Sequence, residues 1–319
     1  DMSKHHHRDR SWAPAPSPLP DDAHVIDNHT HVASVIPFAR AMSHEAVEKG
    51  QPEVPVYDVE QLLAQAAAVG VTGIIDCGCE LPNLMTAIQM AVDHPDSVHA
   101  AIAIHPNEAV LHGHRGVPGP DGLSLKYKPH HDVSFDDALA EVHRLALAYP
   151  HQVVAIGETG MDLFRTGEGA KELQRDAFRE HIALAKELNL PMQIHDRDSH
   201  REVIETLLAD GSPERTVFHS YSGGANGRDR ARQRLVPELL RHGQLQGQRR
   251  YPRISPAGRT GPHHGRDGRA VSYADAIPRA YQRAVHDPVH ADALADVFDL
   301  PVAEVARATR RTTRTVYGV

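Results

Sequence analysis

The segment Ile26-Asp27-Asn28-His29-Thr30-His31 closes an apolar run with two histidines one residue apart. In an extended strand alternate side chains face the same way, so His29 and His31 would project both imidazoles to one side, the arrangement of a metal-binding pair. Taken alone, a His-x-His pair reads equally well as surface histidines in a turn. Three further apolar runs end in chemically capable residues. Val154-Ala155-Ile156-Gly157-Glu158-Thr159-Gly160-Met161-Asp162 presents a carboxylate where the strand is expected to stop, between glycines that permit close backbone approach. Leu190-Pro191-Met192-Gln193-Ile194-His195-Asp196-Arg197 and Thr216-Val217-Phe218-His219 each finish in a histidine. A glutamate among histidines could bridge two cations. His105 and Arg197 are candidates for contacting a substrate phosphate, Arg because its guanidinium grips two oxygens at once, with structural hydrogen bonding near the rim as the alternative for both. Asp162 is expected to steady a neighbouring ligand or its own loop rather than to bind metal.

The elements that must carry these residues follow from hydrophobic rhythm. Short β-branched runs near 24–27, 72–77, 98–104, 153–157, 191–195 and 216–219 alternate with helical patterns at 59–71, 81–93, 135–148, 171–188 and 201–209. Repeated βα units of this kind predict a parallel sheet, and all the candidate ligands then fall at the same, C-terminal ends of their strands. In a (β/α)8 barrel of the TIM type that end is the catalytic rim, where residues from several strands converge. The stretch 112–132, rich in Gly and Pro, reads as a loop insertion on that rim.

Length permits one large domain, expected over residues 23–319, after a disordered extension at 1–22 that contains a His tract and a Pro-rich stretch. No apolar run approaches the roughly 20 residues of a membrane helix, and no signal-peptide core is present, so a cytoplasmic enzyme without a membrane or protein partner is expected. The net charge of -8 argues against a broad electrostatic footprint for duplex nucleic acid, leaving bound cations to hold any phosphate. Histidine is the outlier at 25 residues. The only cysteines, Cys77 and Cys79, are too close along the chain for an ordinary disulfide and are read as packing residues.

With these residues in order, the chain resembles the TatD family of metal-dependent deoxyribonucleases from about Val25 to Gly224, with Ile104-His105-Pro106 and the helix from Gln174 through Phe178 to Ala185 as further marks. The resemblance implies two divalent metal ions (Mg, Mn or Zn), with His29 and His31 on one, His195 and His219 on the other, and Glu158 bridging as a catalytic ligand. It implies hydrolysis of a phosphodiester in DNA or a small molecule, by water that the cations activate. Two other readings stay open: an amidohydrolase or deaminase barrel, which also opens with His-x-His but commonly carries a lysine at the fourth strand, and a catalytically dead remnant that still binds metal.

The resemblance fails after Gly224. The family expects a Glu-Thr-Asp-Ala-Pro-like segment on strand eight, whose Asp ligates the first metal, and none occurs; Asp267 and Asp275 lie in Gly-, Arg- and Ala-rich surroundings. Back-translating Gly265 to Ala274 with permitted codons and shifting by one base yields Val-Glu-Thr-Asp-Ala-Pro-Tyr-Leu-Thr. The same shift across Gln233 to Gly247 yields a sequence like the family's seventh strand. Residues 225–290 are therefore read as an aberrant, frameshifted segment that disrupts strands seven and eight.

Overall fold

A computed structural model describes residues 15–113, 126–166, 168–219, 288, 291–292, 294–295 and 299–319. Six strands, β1 (Val25–Thr30), β2 (Val71–Gly78), β3 (Val98–Ile102), β4 (Val153–Asp162), β5 (Met192–Arg197) and β6 (Thr216–Phe218), form one parallel sheet in sequential order. Between and after them lie α1 (Val32–Glu48), α2 (Val59–Ala67), α3 (Leu81–Asp93), α4 (Pro106–Ala109), α5 (Phe135–Ala148), α6 (Lys171–Glu187), α7 (His200–Asp210) and α8 (Val302–Tyr317).

The sheet is strongly curled. Strands lie about 4.8 Å apart, so six in a flat sheet would put β1 about 24 Å from β6. Instead, the ring of His29 on β1 stacks on that of His219, just past β6, with centroids 3.8 Å apart. Gln193 on β5 likewise donates from Nε2 to the carbonyl of Asn28 on β1 at 2.6 Å. The expected strands seven and eight fall in residues outside those described, as do the frameshift reading and the tip of the 112–132 insertion.

Two apolar layers hold the curl. Outside the sheet, Phe178 and Ile182 of α6 and Leu84 and Ile88 of α3 pack on Ile74, Ile102, Ile156, Met192 and Ile194. A smaller cluster of Ile75, Cys77, Ala101, Val154, Ala155 and Tyr317 forms a second group of buried residues. The Tyr317 hydroxyl accepts from Gln193 Nε2 at 3.0 Å, which ties the last turn of α8 to β5. Among the described residues no helix is long and apolar enough to cross a membrane.

Side-chain caps written in the sequence open some of the helices. Asp58 and Gln61 form a reciprocal capping box on α2, and Ser134 caps α5 through Asp137 N at 3.1 Å. Helix α1 has no rhythm in the sequence because Pro37 interrupts it; its first amide, Val32 N, is instead satisfied from across the sheet by Asp76 Oδ1 at 2.5 Å. Leu19, inside the expected N-terminal extension, is buried and donates from N to Val69 O at 3.1 Å.

Strand β4 is longer than the sequence rhythm indicates: it continues through Glu158 to Asp162, and every residue of it is buried. The expected stop at Gly157 fails because the glycines there serve close packing rather than a turn. From Ile156 to Thr159 three steps of β4 oppose two of β5, from Met192 to Ile194, so one extra residue bulges where Glu158 emerges. The same count holds in β1, where Asp27 to Thr30 opposes Ile74 to Asp76 around His29. At Gly160, with φ of 139°, a Cβ would lie 2.1 Å from the carbonyl oxygen of His195. Gly160→Ala should therefore destabilise the chain by about 3 kcal/mol through backbone overpacking, read as a lower urea midpoint; an unchanged midpoint would mean that β4 and β5 are not so closely seated.

Candidate metal centre

Glu158 is only 4% exposed and stands at the middle of the rim, with its two carboxylate oxygens facing different partners. Oε2 faces the end of β1, 3.6 Å from His29 Nε2 and 3.3 Å from His31 Nε2. Oε1 faces the ends of β5 and β6, 2.5 Å from His195 Nδ1 and 2.5 Å from His219 Nε2. The bulges in β1 and β4 and the curl of the sheet are what bring these five side chains to one point.

The outer nitrogens of the rings fix which inner nitrogen is available. His29 Nδ1 donates to Gln193 Oε1 at 3.1 Å, and His31 Nδ1 donates to the carbonyl of Cys77 at 3.3 Å. Both rings thereby turn Nε2 toward Glu158. His195 Nε2 donates to Asp162 Oδ2 at 3.1 Å, which leaves Nδ1 inward. Asp162 is itself held by Asn107 Nδ2 at 2.9 Å and by the amides of Phe164 and Arg165, so it positions His195 from behind.

Burial and charge divide the histidines. Burial pushes His29 down to about 3, with Glu158 opposing and His219 and His31 adding to the fall, so the ring is neutral and Nε2 carries a lone pair. That buried atom has no hydrogen-bond partner, although a carboxylate oxygen lies 3.6 Å away. Burial also opposes charge on His195, but Asp162 and Glu158 outweigh it and raise the ring to about 9. His31 is likewise held well above its ordinary value, Cys79 and Glu158 overcoming burial. The carboxylates respond in kind: the surrounding imidazoles overcome burial to keep Glu158 far below its usual range, and Asp162 falls to about 2.

Donor atoms of His29, His31 and Glu158 lie within 4.8 Å of one another, as do those of His105, Glu158 and His195. His105 differs from the others in its tautomer. Its Nδ1 accepts from Asn107 N at 3.1 Å, so Nε2 carries the hydrogen, 3.8 Å from Glu158 Oε1. His105 is thus a donor aimed into the site, not a ready ligand. Arg197 lies with its guanidinium 3.8 Å over the ring of Phe164.

Sequence reading missed four contributors. Gln193, fully inside the sheet, orients His29; Asn107 orients both His105 and Asp162; the thiols Cys77 and Cys79 flank the ligands, with Cys77 Sγ 3.3 Å from His29 Nδ1 and Cys79 Sγ 3.8 Å from Glu158 Oε2. Cys77 is buried in the inner cluster and Cys79 packs against it, as expected, while Cys79 also reaches toward Glu158. Their position at and just past the end of β2 was the available signal.

Residues 26–234 match the family described as TatD related DNase. A protein of Mycobacterium tuberculosis named as an uncharacterized metal-dependent hydrolase, TatD, is 34% identical over 171 residues, 52% of this chain and 55% of that protein. A 3'-5' ssDNA/RNA exonuclease TatD of Yersinia pseudotuberculosis is 29% identical over 171 residues, 53% of this chain and 56% of that protein. The chain spans about half the length of the curated relatives it matches. In fold it is similar to YJJV, a TatD homologue from Escherichia coli K12, with a TM-score of 0.57 at 22% identity over 93% of this chain and 99% of that one. It is also similar to an uncharacterized amidohydrolase from Saccharomyces cerevisiae, with a TM-score of 0.59 at 15% identity over 92% and 100%. The curled six-stranded sheet is accordingly part of a (β/α) barrel, and the chain belongs to the TatD related DNase family.

Proposed function

We propose that this chain is built to hydrolyse phosphodiester bonds of nucleic acid, with two divalent cations held by His29, His31, Glu158, His195 and His219 and with water as nucleophile. The observation that carries the reading is the buried, neutral Nε2 of His29, which lacks a partner while facing a carboxylate oxygen 3.6 Å away. Two lone pairs directed at each other in a dry site are unfavourable unless a cation lies between them. The division of Glu158 into an Oε2 side with two histidines and an Oε1 side with two more favours a bridging role. Cations bound there would supply positive charge for a phosphoryl oxygen and lower the pKa of water.

The chain's own groups do the rest. Gln193, the Cys77 carbonyl and Asp162 hold three ligand rings in one tautomer each. His105, with its hydrogen on Nε2, is placed to donate to a substrate oxygen next to Glu158. Arg197, stacked on Phe164, is a second candidate for phosphate contact. A nucleic-acid substrate agrees with relatives named as single-stranded DNA and RNA exonucleases. The glutamate at the end of the fourth strand, where amidohydrolase barrels commonly have lysine, disfavours that second reading.

Within this proposal, residues 225–290 are out of frame, and the shifted frame carries the Asp that the family uses on strand eight. The family match ends at residue 234, inside that segment. The decisive assay compares the chain as it stands, a version carrying the shifted-frame residues, and its Glu158→Gln variant on a single-stranded oligonucleotide and a cyclic amide. The reframed chain should cleave the oligonucleotide about 10² to 10⁴ times faster than the other two, the range of a lost acid or base. Amide cleavage in place of phosphodiester cleavage would overturn the proposal.

Proton competition gives a further test. With His195 raised to about 9, the metal-free centre holds a proton there below that pH, and a cation must displace it. His195 should contribute about a tenfold rise in apparent Mn²⁺ affinity per pH unit from pH 6 to 8, levelling off above pH 9, and the proton held on His31 should steepen the rise, measured by calorimetric titration. An affinity independent of pH would exclude His195 as a ligand.

A further inference from the structure

Helix α6 lies outside the sheet, and most of the residues it buries are apolar: Ala177, Phe178, Ile182, Leu184 and Ala185. Gln174 and His181 are the exceptions; both are completely buried, and at a spacing of seven residues they share one face of the helix. Buried polar groups need partners, and both side chains find theirs near the rim. Gln174 Oε1 accepts from Asp162 N at 2.9 Å, while its Nε2 donates to Thr166 Oγ1 at 3.0 Å and lies 3.4 Å from Pro106 O. His181 Nδ1 donates to Ala177 O at 2.7 Å, which leaves Nε2 as an acceptor, and that nitrogen accepts from Ile104 N at 3.1 Å. Burial lowers the ring to about 4 against the opposing effect of the Ala177 carbonyl, so it is neutral and keeps the lone pair that Ile104 N uses.

The sheet creates the need for an acceptor at this point. Past the end of β3, the amides that face β2 meet main-chain carbonyls, Ala103 N donating to Gly78 O at 3.1 Å and His105 N to Cys79 O at 3.0 Å. On the other side the pairing of β3 with β4 ends at Ile102 and Ile156, just before β4 bulges to present Glu158. Ile104 is 1% exposed, so its amide cannot turn to water instead, and His181 supplies the acceptor that the bulged strand does not. The peptides before and after Ile104 are thereby held from opposite sides, by α6 and by β2. The residue they deliver is His105, whose Nε2 hydrogen is aimed into the site.

We propose, on the reading of His105 as a substrate donor, that His181 is its positioning residue. By accepting from Ile104 N, His181 fixes the direction in which the chain carries the His105 ring to the rim. It thereby preserves the hydrogen bond from Asn107 N to His105 Nδ1 that keeps the ring hydrogen on Nε2. An outer helix thus acts on the substrate side of the centre without contributing a ligand to it. A histidine that only filled space between α6 and the sheet would leave the His105 ring unchanged when replaced.

Nuclear magnetic resonance of the isotope-labelled, metal-free full chain tests this without relying on turnover, so failure of the nuclease reading and failure of this one are separate outcomes. In the wild type, a scalar coupling between the nitrogens of Ile104 N and His181 Nε2 is expected across their hydrogen bond, and His105 should carry its ring hydrogen on Nε2 alone. His181→Gln can still accept from Ile104 N through Oε1 and should keep the His105 nitrogen resonances. His181→Asn, one methylene shorter, and His181→Leu, with no acceptor, should shift them toward the average of the two tautomers, while those of His29 stay in place. Two variants lacking the acceptor are used so that loss of folding in one does not decide the result. A wild type without the coupling, or a folded His181→Asn or His181→Leu chain with an unaltered His105 ring, would overturn the proposal.

Discussion

Glu158 is a buried carboxylate surrounded by five imidazoles, and the rest of the rim depends on how its charge is met. Moving an ion of this size out of water costs several kcal/mol, roughly, even after the protein relaxes. The charge is met from opposite directions, by β1 on one oxygen and by β5 and β6 on the other. Those elements are far apart in a flat sheet, so the electrostatic centre and the curl of the barrel require each other. The glycines of β4 serve the same end. Gly157 and Gly160 let β5 approach so closely that a Cβ on either would collide with Gln193 or His195.

The protonation states distribute work among chemically similar residues. Of the five histidines around one glutamate, four have distinct assignments: His29 is neutral with a free nitrogen, His31 and His195 are held protonated while no cation is present, and His105 is a fixed donor. The tautomer of each ring comes from its far side, Gln193 Oε1 for His29, the Cys77 carbonyl for His31, Asp162 for His195 and Asn107 N for His105, while burial and the facing charges decide which rings hold a proton. The pattern recurs around Glu108, where Lys128 N makes His131 a donor and Val133 O frees the other nitrogen of His112. Three residues on α4 and its N-cap, His105, Asn107 and Glu108, link the two clusters through one short helix.

Much of this was legible in the sequence because strand ends in a parallel barrel all point one way. Once the β-branched runs were aligned, His29, His31, Glu158, His195 and His219 had to lie on one rim, and the structure brings them together. Interior geometry was less legible. The continuation of β4 to Asp162 was hidden because glycine signals a turn in sequence, whereas at Gly160 it answers the approach of a neighbouring carbonyl. Helix α1 was hidden by Pro37, and its anchoring by Asp76 is a contact between residues 44 positions apart. Gln193, Asn107 and Cys79 act through tertiary contacts that no local pattern announces. His130 and His131, which meet Glu108, lay in the segment 112–132 that was read only as a loop.

The central claim is that the carboxylate of Glu158 joins two cations. Electron paramagnetic resonance of the manganese-loaded full chain tests it directly, because two Mn²⁺ ions sharing one carboxylate are exchange-coupled and differ in spectrum from isolated ions. A coupled spectrum in the wild type that collapses to isolated or free ions in Glu158→Gln is the expected result. Isolated-ion spectra at every loading in the wild type would contradict the bridging role and reduce the centre to single, independent sites.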